Sequence, residues 1–170
     1  MTHALIPLGK GHFAIVDQPD LELLSGAPWG VMQDKHTNYA VRSVKREDGK
    51  WRNEYMHRVL VRGDTVDHRN GNGLDNRREN LRPATKAQNL QNIRRPPGAS
   101  GFRGVEYYAK REKWRAHIGY GGKYLRLGYF DSAEDAATAR DNKARELHGE
   151  FAVLNFPRPG ERGVPIGKER

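Results

Sequence analysis

Asp67 and His68 stand side by side, with Asn80 twelve residues after the histidine, Asn89 nine further on, and a Gly/Asn-rich loop between. No other stretch of the chain gathers so many metal-ligand and proton-transfer groups. A carboxylate and an amide oxygen can share one hard divalent cation, while the neighbouring imidazole takes a proton from water. In a basic chain, that combination points to hydrolysis of a phosphodiester bond.

Such a site needs rigid elements around it. Residues 55–61 and 65–68 are predicted as two strands joined by Arg62-Gly63-Asp64, and Thr85 can cap a helix over Lys86–Asn92. Neighbours on a strand project to opposite faces. Asp67 is therefore expected to bind metal from one side, while His68 reaches round the scissile phosphate to activate water.

Ahead of this unit, residues 1–50 balance six basic against six acidic side chains and read as a β-rich platform without chemistry of its own. His12 to Val16 is a short apolar run, and Leu21 to Leu24 a possible helical turn. Tyr39 to Val44 alternates like a strand, and Asp48-Gly49 is a hairpin turn. Trp29 and Trp51 are expected in the core.

Composition narrows the partners. Lys plus Arg outnumber Asp plus Glu by 30 to 21, a net charge of +9, which favours a polyanion. With no cysteine, disulfides and thiolate-held zinc are excluded, and any metal must sit on His, Asp, Asn or Glu. No apolar run approaches the ~18 residues of a membrane span, and no signal peptide is evident. A soluble, cytoplasmic protein without membrane contact is expected.

The segment from His57 to Asn92 resembles the HNH nuclease motif of the ββα-metal (His-Me finger) superfamily, in its H-N-N phage homing-endonuclease variant. The resemblance rests on Val66-Asp67-His68, Asp75-Asn76-Arg77, Glu79-Asn80-Leu81-Arg82 and Asn89. It implies that His68 is the general base and that Asn80 braces the loop. Asp67 and Asn89 would be the ligands of one divalent ion. Because an amide oxygen replaces the histidine of many relatives at Asn89, Mg²⁺ or Mn²⁺ is favoured over Zn²⁺. His57 fits the histidine that often opens these signatures, and either assists at the phosphate or braces the site. Arg58, Arg69 and Arg82 are candidate phosphate contacts. Products of this family carry 5′-phosphate and 3′-hydroxyl ends.

After Arg94-Arg95-Pro96-Pro97, residues 94–100 read as a linker whose two arginines are either DNA contacts or solvated. Residues 101–157 then change grammar. Three strands are expected over 102–108, Lys113–Tyr120 and Lys123–Phe130, with Gly121-Gly122 as a hairpin signal. A helix from Asp131 or Ser132 to about His148 follows. Alternation puts Trp114, Ala116, Ile118, Leu125, Leu127 and Tyr129 on an apolar face and Lys113, Arg115, His117, Tyr124 and Arg126 on a basic one. Residues 101–130 carry seven basic groups against two acidic, and 131–150 three against six, so the sheet rather than the helix is expected to face DNA.

This half resembles the Apetala-two (ethylene-response-factor) DNA-binding domain. The landmarks are Phe102-Arg103-Gly104-Val105, Lys113-Trp114, Leu127-Gly128-Tyr129-Phe130-Asp131, Ala133-Glu134-Asp135-Ala136-Ala137 and Val153-Leu154-Asn155-Phe156-Pro157. It implies DNA contacts from Arg103, His117, Tyr124 and Arg126, joined by Arg115 and Lys123 on the same sheet. Glu106 and Gly119 stand where plant domains usually place arginine, and Arg126 where they place tryptophan, so a plant target does not follow.

The expected architecture is α+β: a nuclease domain over 1–93, a linker, a three-stranded antiparallel sheet packed on one helix, and a disordered tail over 158–170. The expected protein is a monomeric, metal-dependent homing endonuclease that nicks double-stranded DNA. The competing readings are a non-catalytic DNA-binding regulator with a relic nuclease unit, and a less specific phage nuclease.

Overall fold

Gly9, Lys10 and Gly11 all take positive φ, and this turn folds β1 (His3–Gly9) back on β2 (His12–Asp17). The computed structural model describes residues 2–34, 37–62, 65–92 and 97–164. The chain divides into two units, Met1–Leu90 and Gln91–Arg170.

In the first unit, β3 (Gly30–Gln33), β4 (Asn38–Lys45) and β5 (Trp51–Tyr55) form an antiparallel sheet with β4 in the middle. Ala14, Val16, Ala40, Met56 and Leu60 centre its core. The possible helical turn at Leu21 to Leu24 is a non-helical turn that follows a 3-10 turn over Gln18–Asp20. Trp29 is buried and donates its indole N–H to the Leu24 carbonyl at 2.8 Å. Trp51 departs from expectation. It is 68% exposed, because it opens β5 opposite Lys45, at the end of the sheet beyond the core.

The strand expected over 55–61 stops at Tyr55, and α1 (Met56–Leu60) follows. Met56 and Leu60, four residues apart, bury together on one face of this turn, a helical spacing that outweighs the β-branched residues around it. The hairpin of the unit is instead β6 (Val66–His68) against β7 (Leu81–Pro83), with Asp67 opposite Arg82 and His68 opposite Leu81. α2 (Lys86–Asn92) comes next. Thr85 Oγ1 accepts from the Gln88 amide at 3.2 Å and Gln88 Oε1 accepts from the Thr85 amide at 2.7 Å, a reciprocal capping box.

The N-terminal hairpin clamps the loop between β6 and β7. The Ile15 amide donates to Leu74 O at 2.8 Å and Ile15 O accepts from the Asn76 amide at 2.7 Å. Asp17 Oδ2 accepts from the Arg78 amide, and Asp20 takes the Arg78 guanidinium at 2.7 and 3.0 Å. Gly73 lies so close to β4 that a Cβ would sit 2.3 Å from Asn38 O. No larger residue fits there without moving backbone.

In the second unit, β8 (Val105–Tyr108), β9 (Lys113–Tyr120) and β10 (Lys123–Phe130) are antiparallel with β9 central. The first strand begins three residues later than expected, because Gly104 takes φ +73 against the His117 carbonyl. α3 (Ala133–His148) starts at Ser132, whose Oγ accepts from the Asp135 amide at 3.0 Å. It packs Ala136, Ala137 and Ala144, all fully buried, close on the sheet.

One register shift falls between Arg126 and Gly128. A bulge reverses the facing of every residue beyond it. Tyr129, expected on the apolar side, therefore lies opposite Arg115 and beside Tyr108, ring centroids 5.4 Å apart. The tail also departs from expectation as far as Val164. β11 (Val153–Leu154) pairs in parallel with β12 (Arg162–Gly163), and Glu161 holds Arg145 through two 2.8 Å contacts. These contacts supply the order that composition alone hid.

Candidate functional site

Two buried side chains, Asn76 and His57, and the half-buried Tyr39 meet the His68 ring. Its Nε2 lies 3.4 Å from Asn76 Oδ1, and the rings of Tyr39 and His57 stand 5.9 and 5.0 Å away by centroid. An amide oxygen only accepts, and Asn76 Nδ2 itself donates to Gly73 O at 3.4 Å. With the His68 proton on Nε2 donated to that oxygen, Nδ1 is the nitrogen left to accept a proton. Asn76 is fully buried. The sequence offers one signal for Asn76, a second amide in a tight loop after the histidine, within Asp75-Asn76-Arg77.

His57 sits on α1, not on a strand, and is 5% exposed. Burial, then the neighbouring His68 and Arg58, push its pKa down to about 3. It is neutral at physiological pH, and its Nδ1 is buried without a hydrogen-bond partner. Tyr39 and Tyr55 flank it at 5.5 Å each. Tyr39 comes from β4, within the platform expected to carry no chemistry, and Tyr55 closes β5, where the first strand of the nuclease unit is expected to begin.

Asn80 ties the loop at both ends of its side chain. Its Oδ1 accepts from the Asn70 amide at 3.0 Å and its Nδ2 donates to Asp75 O at 2.7 Å. Asp75 takes Arg77 through two contacts of 2.8 and 2.7 Å and Asn70 Nδ2 at 2.8 Å. Hydrogen bonds from Arg77 and Asn70, with the Arg77 charge, outweigh burial and hold the Asp75 carboxyl below its usual range.

Asp67 and Arg82 are the main surprise. Both are buried, and Asp67 Oδ2 accepts from Arg82 Nε and Nη2 at 2.9 and 2.7 Å. Arg82, expected to touch phosphate, is instead the internal counter-charge of Asp67, set opposite it by the hairpin register. Arg58 lies over the Tyr55 ring at 4.8 Å, and Arg69 is exposed.

The ligand set can be tested against the structure. Asn89 Oδ1 is buried with no hydrogen-bond partner, as an oxygen reserved for a cation would be. Among the described residues no group of three or more His, Asp or Glu side chains is placed to hold a metal. One carboxylate and one amide fit a hard ion that takes its other ligands from phosphate and water. They do not fit a closed protein cage.

On the second unit, Ala116 and Ile118 of β9 are buried while Arg115 and His117 face outward. Glu106 compensates part of that charge. Its Oε1 accepts from Arg115 Nε and Nη2 at 3.1 and 2.7 Å and lies 3.5 Å from His117 Nδ1. The last is an ion-pair distance, and His117 Nδ1 makes no hydrogen bond. Arg115 stacks on Tyr108 and Arg111 on Tyr129, at 5.0 and 4.5 Å. Lys123, Tyr124 and Arg126 are exposed on β10, and Arg103 is half-buried with its backbone held by Asn155. Arg94 and Arg95 lie outside the described residues.

Residues 54–91 match the family model of an HNH endonuclease. Protein 3.8 of Escherichia phage T7 is 35% identical over 94 residues, covering 55% of this chain and 77% of that protein. The ethylene-responsive transcription factor WRI1 of Arabidopsis thaliana is 39% identical over 85 residues, covering 46% of this chain and 20% of the factor. The AP2-like factor At1g16060 of the same plant is 44% identical over 61 residues, 35% of this chain and 18% of the factor. The chain thus spans only about a fifth of either plant factor.

The chain therefore joins an HNH endonuclease domain to a C-terminal AP2-type DNA-binding domain. It belongs to the same family as Protein 3.8 of phage T7. Both domains point to DNA. No helix among the described residues is long and apolar enough to cross a membrane.

Proposed function

We propose that the chain is a site-specific DNA endonuclease of the HNH homing type, which hydrolyses one phosphodiester bond per active site. It leaves 5′-phosphate and 3′-hydroxyl ends, and acts on double-stranded DNA as a monomer that nicks one strand. The observation that carries the hydrolytic reading is the buried, unpartnered Asn89 Oδ1 on the helix that follows the Asp67–His68 hairpin.

In this reading β6, β7 and α2 form the ββα-metal unit, and Asp67 and Asn89 hold one Mg²⁺ or Mn²⁺ ion. When bound, such an ion supplies Lewis-acid charge at the scissile phosphate and the leaving 3′ oxygen. His68 takes a proton from the attacking water at Nδ1, with Nε2 turned to Asn76. His57 stays uncharged and forms the wall against which His68 packs. Asn80 braces the loop that carries these groups. Arg58 and Arg69 are the phosphate contacts, and Arg82 is not one. The sheet of the second unit lies in the major groove, with Arg103, Arg115, His117, Lys123, Tyr124 and Arg126 toward DNA.

The Asp67–Arg82 pair favours a second reading, a DNA-binding regulator whose nuclease half no longer takes metal. Incubating supercoiled plasmid with the protein and Mg²⁺ separates the two. Open circles that DNA ligase reseals are the expected products. Plasmid that is bound but never opened rejects the nuclease, and cuts scattered along the plasmid reject the site-specific form.

A further inference from the structure

Among the described residues of the nuclease unit Trp51 is the most exposed large apolar side chain, at 68% with Leu5 next at 64%, and the register of its sheet gives that exposure a direction. β4 and β5 pair Val41 with Tyr55, Ser43 with Asn53 and Lys45 with Trp51. Tyr39, Val41, Ser43, Lys45, Trp51, Asn53 and Tyr55 therefore share one face. None is a carboxylate. The opposite face holds buried Ala40 and takes the acid: Glu54 is paired there with Arg42 at 2.8 Å and Arg46 at 3.3 Å. The acid-free face ends at Tyr39 and Tyr55, the two rings that touch His57, with Tyr39 also against His68.

We propose that this face of β4 and β5 is a DNA track that holds the strand flanking the scissile phosphate, with Trp51 stacking on a base and Lys45 contacting the backbone. The inference rests on the nuclease reading in taking DNA as the ligand of this half. From Tyr55 to Trp51 the strand rises about 13 Å, close to four steps of a DNA strand at about 3.4 Å each. An exposed indole, a lysine on the adjoining strand and an arginine stacked on Tyr55 at 4.8 Å are the parts of a stacking platform with its cations. The surface is continuous with the imidazole pair, which makes the flanking strand its occupant.

The test uses the full chain in EDTA, so that binding is read without cleavage, titrated against a labelled duplex and a single-stranded oligonucleotide. Trp51→Ala should weaken binding by at least about fivefold, the loss of one stacked base, and Trp51→Phe should restore most of it. Lys45→Ala should lower the slope of log affinity against log salt by about one. A loss on either DNA form supports the track, and the form affected tells whether the base must leave the duplex. Unchanged affinity on both forms overturns it. So does a loss of self-association on sedimentation with DNA affinity intact, which would give the face to a second copy of the chain. Wild-type protein that binds through Trp51 yet never cuts would sink the nuclease reading and leave the track standing.

Discussion

His57 and His68 meet edge to face, ring centroids 5.0 Å apart, one from α1 and the other from β6. The pair is asymmetric. Burial and the adjoining His68 and Arg58 push His57 down to about 3, so the folded state accepts it only as the neutral imidazole.

A pH dependence of stability follows. The His57 pKa is lower folded than unfolded, so the unfolded chain binds the extra proton between the ordinary histidine value and about 3. The contribution is complete above pH ~6.5 and declines as pH falls, by up to about 1.4 kcal/mol per unit within that window. Urea unfolding between pH 7 and 4 should show this decline in wild type and a shallower one in His57→Gln. Identical slopes would mean that His57 is not the group being protonated.

Arg82 should behave as a structural residue. Removing it leaves Asp67 buried without its counter-charge, so Arg82→Ala is expected to cost about 3–5 kcal/mol of stability, the range for one half of a buried pair. Denaturant midpoints measure this. A variant of wild-type stability that merely binds DNA less tightly would restore Arg82 as a phosphate contact.

The Glu106 carboxylate masks the Arg115 guanidinium and lies beside the His117 ring. Glu106→Gln should therefore tighten DNA binding and steepen its salt dependence, whereas Arg126→Ala should weaken binding and lower the slope by about one. Affinities measured across a salt series give both. Weaker binding by Glu106→Gln would show that the acid orients Arg115 rather than screens it.

Much of this architecture can be read from local pattern. Alternation along Lys113–Tyr120, the Gly121-Gly122 turn, Ser132 at the start of α3 and Thr85 at the start of α2 each depend on neighbours within a few residues. The misses share a different cause. Trp51 looks like core until the register places it beyond the core's edge. Tyr129 changes face through a bulge that no composition announces. Arg82 meets Asp67, and Tyr39 meets both histidines, only after distant segments have folded together. The five-residue α1 is too short for its helical spacing to stand out against an apolar run.

The most direct test of the account compares wild type with His68→Ala on supercoiled plasmid, with Mg²⁺ titrated from zero and DNA occupancy matched by prior binding measurements. The account predicts Mg²⁺-dependent opening by wild type, with pH dependence following a single base, and a loss of roughly 10²–10⁴-fold in rate for His68→Ala at unchanged affinity. Cleavage by His68→Ala at the wild-type rate, or wild-type cleavage that persists in EDTA, would contradict it.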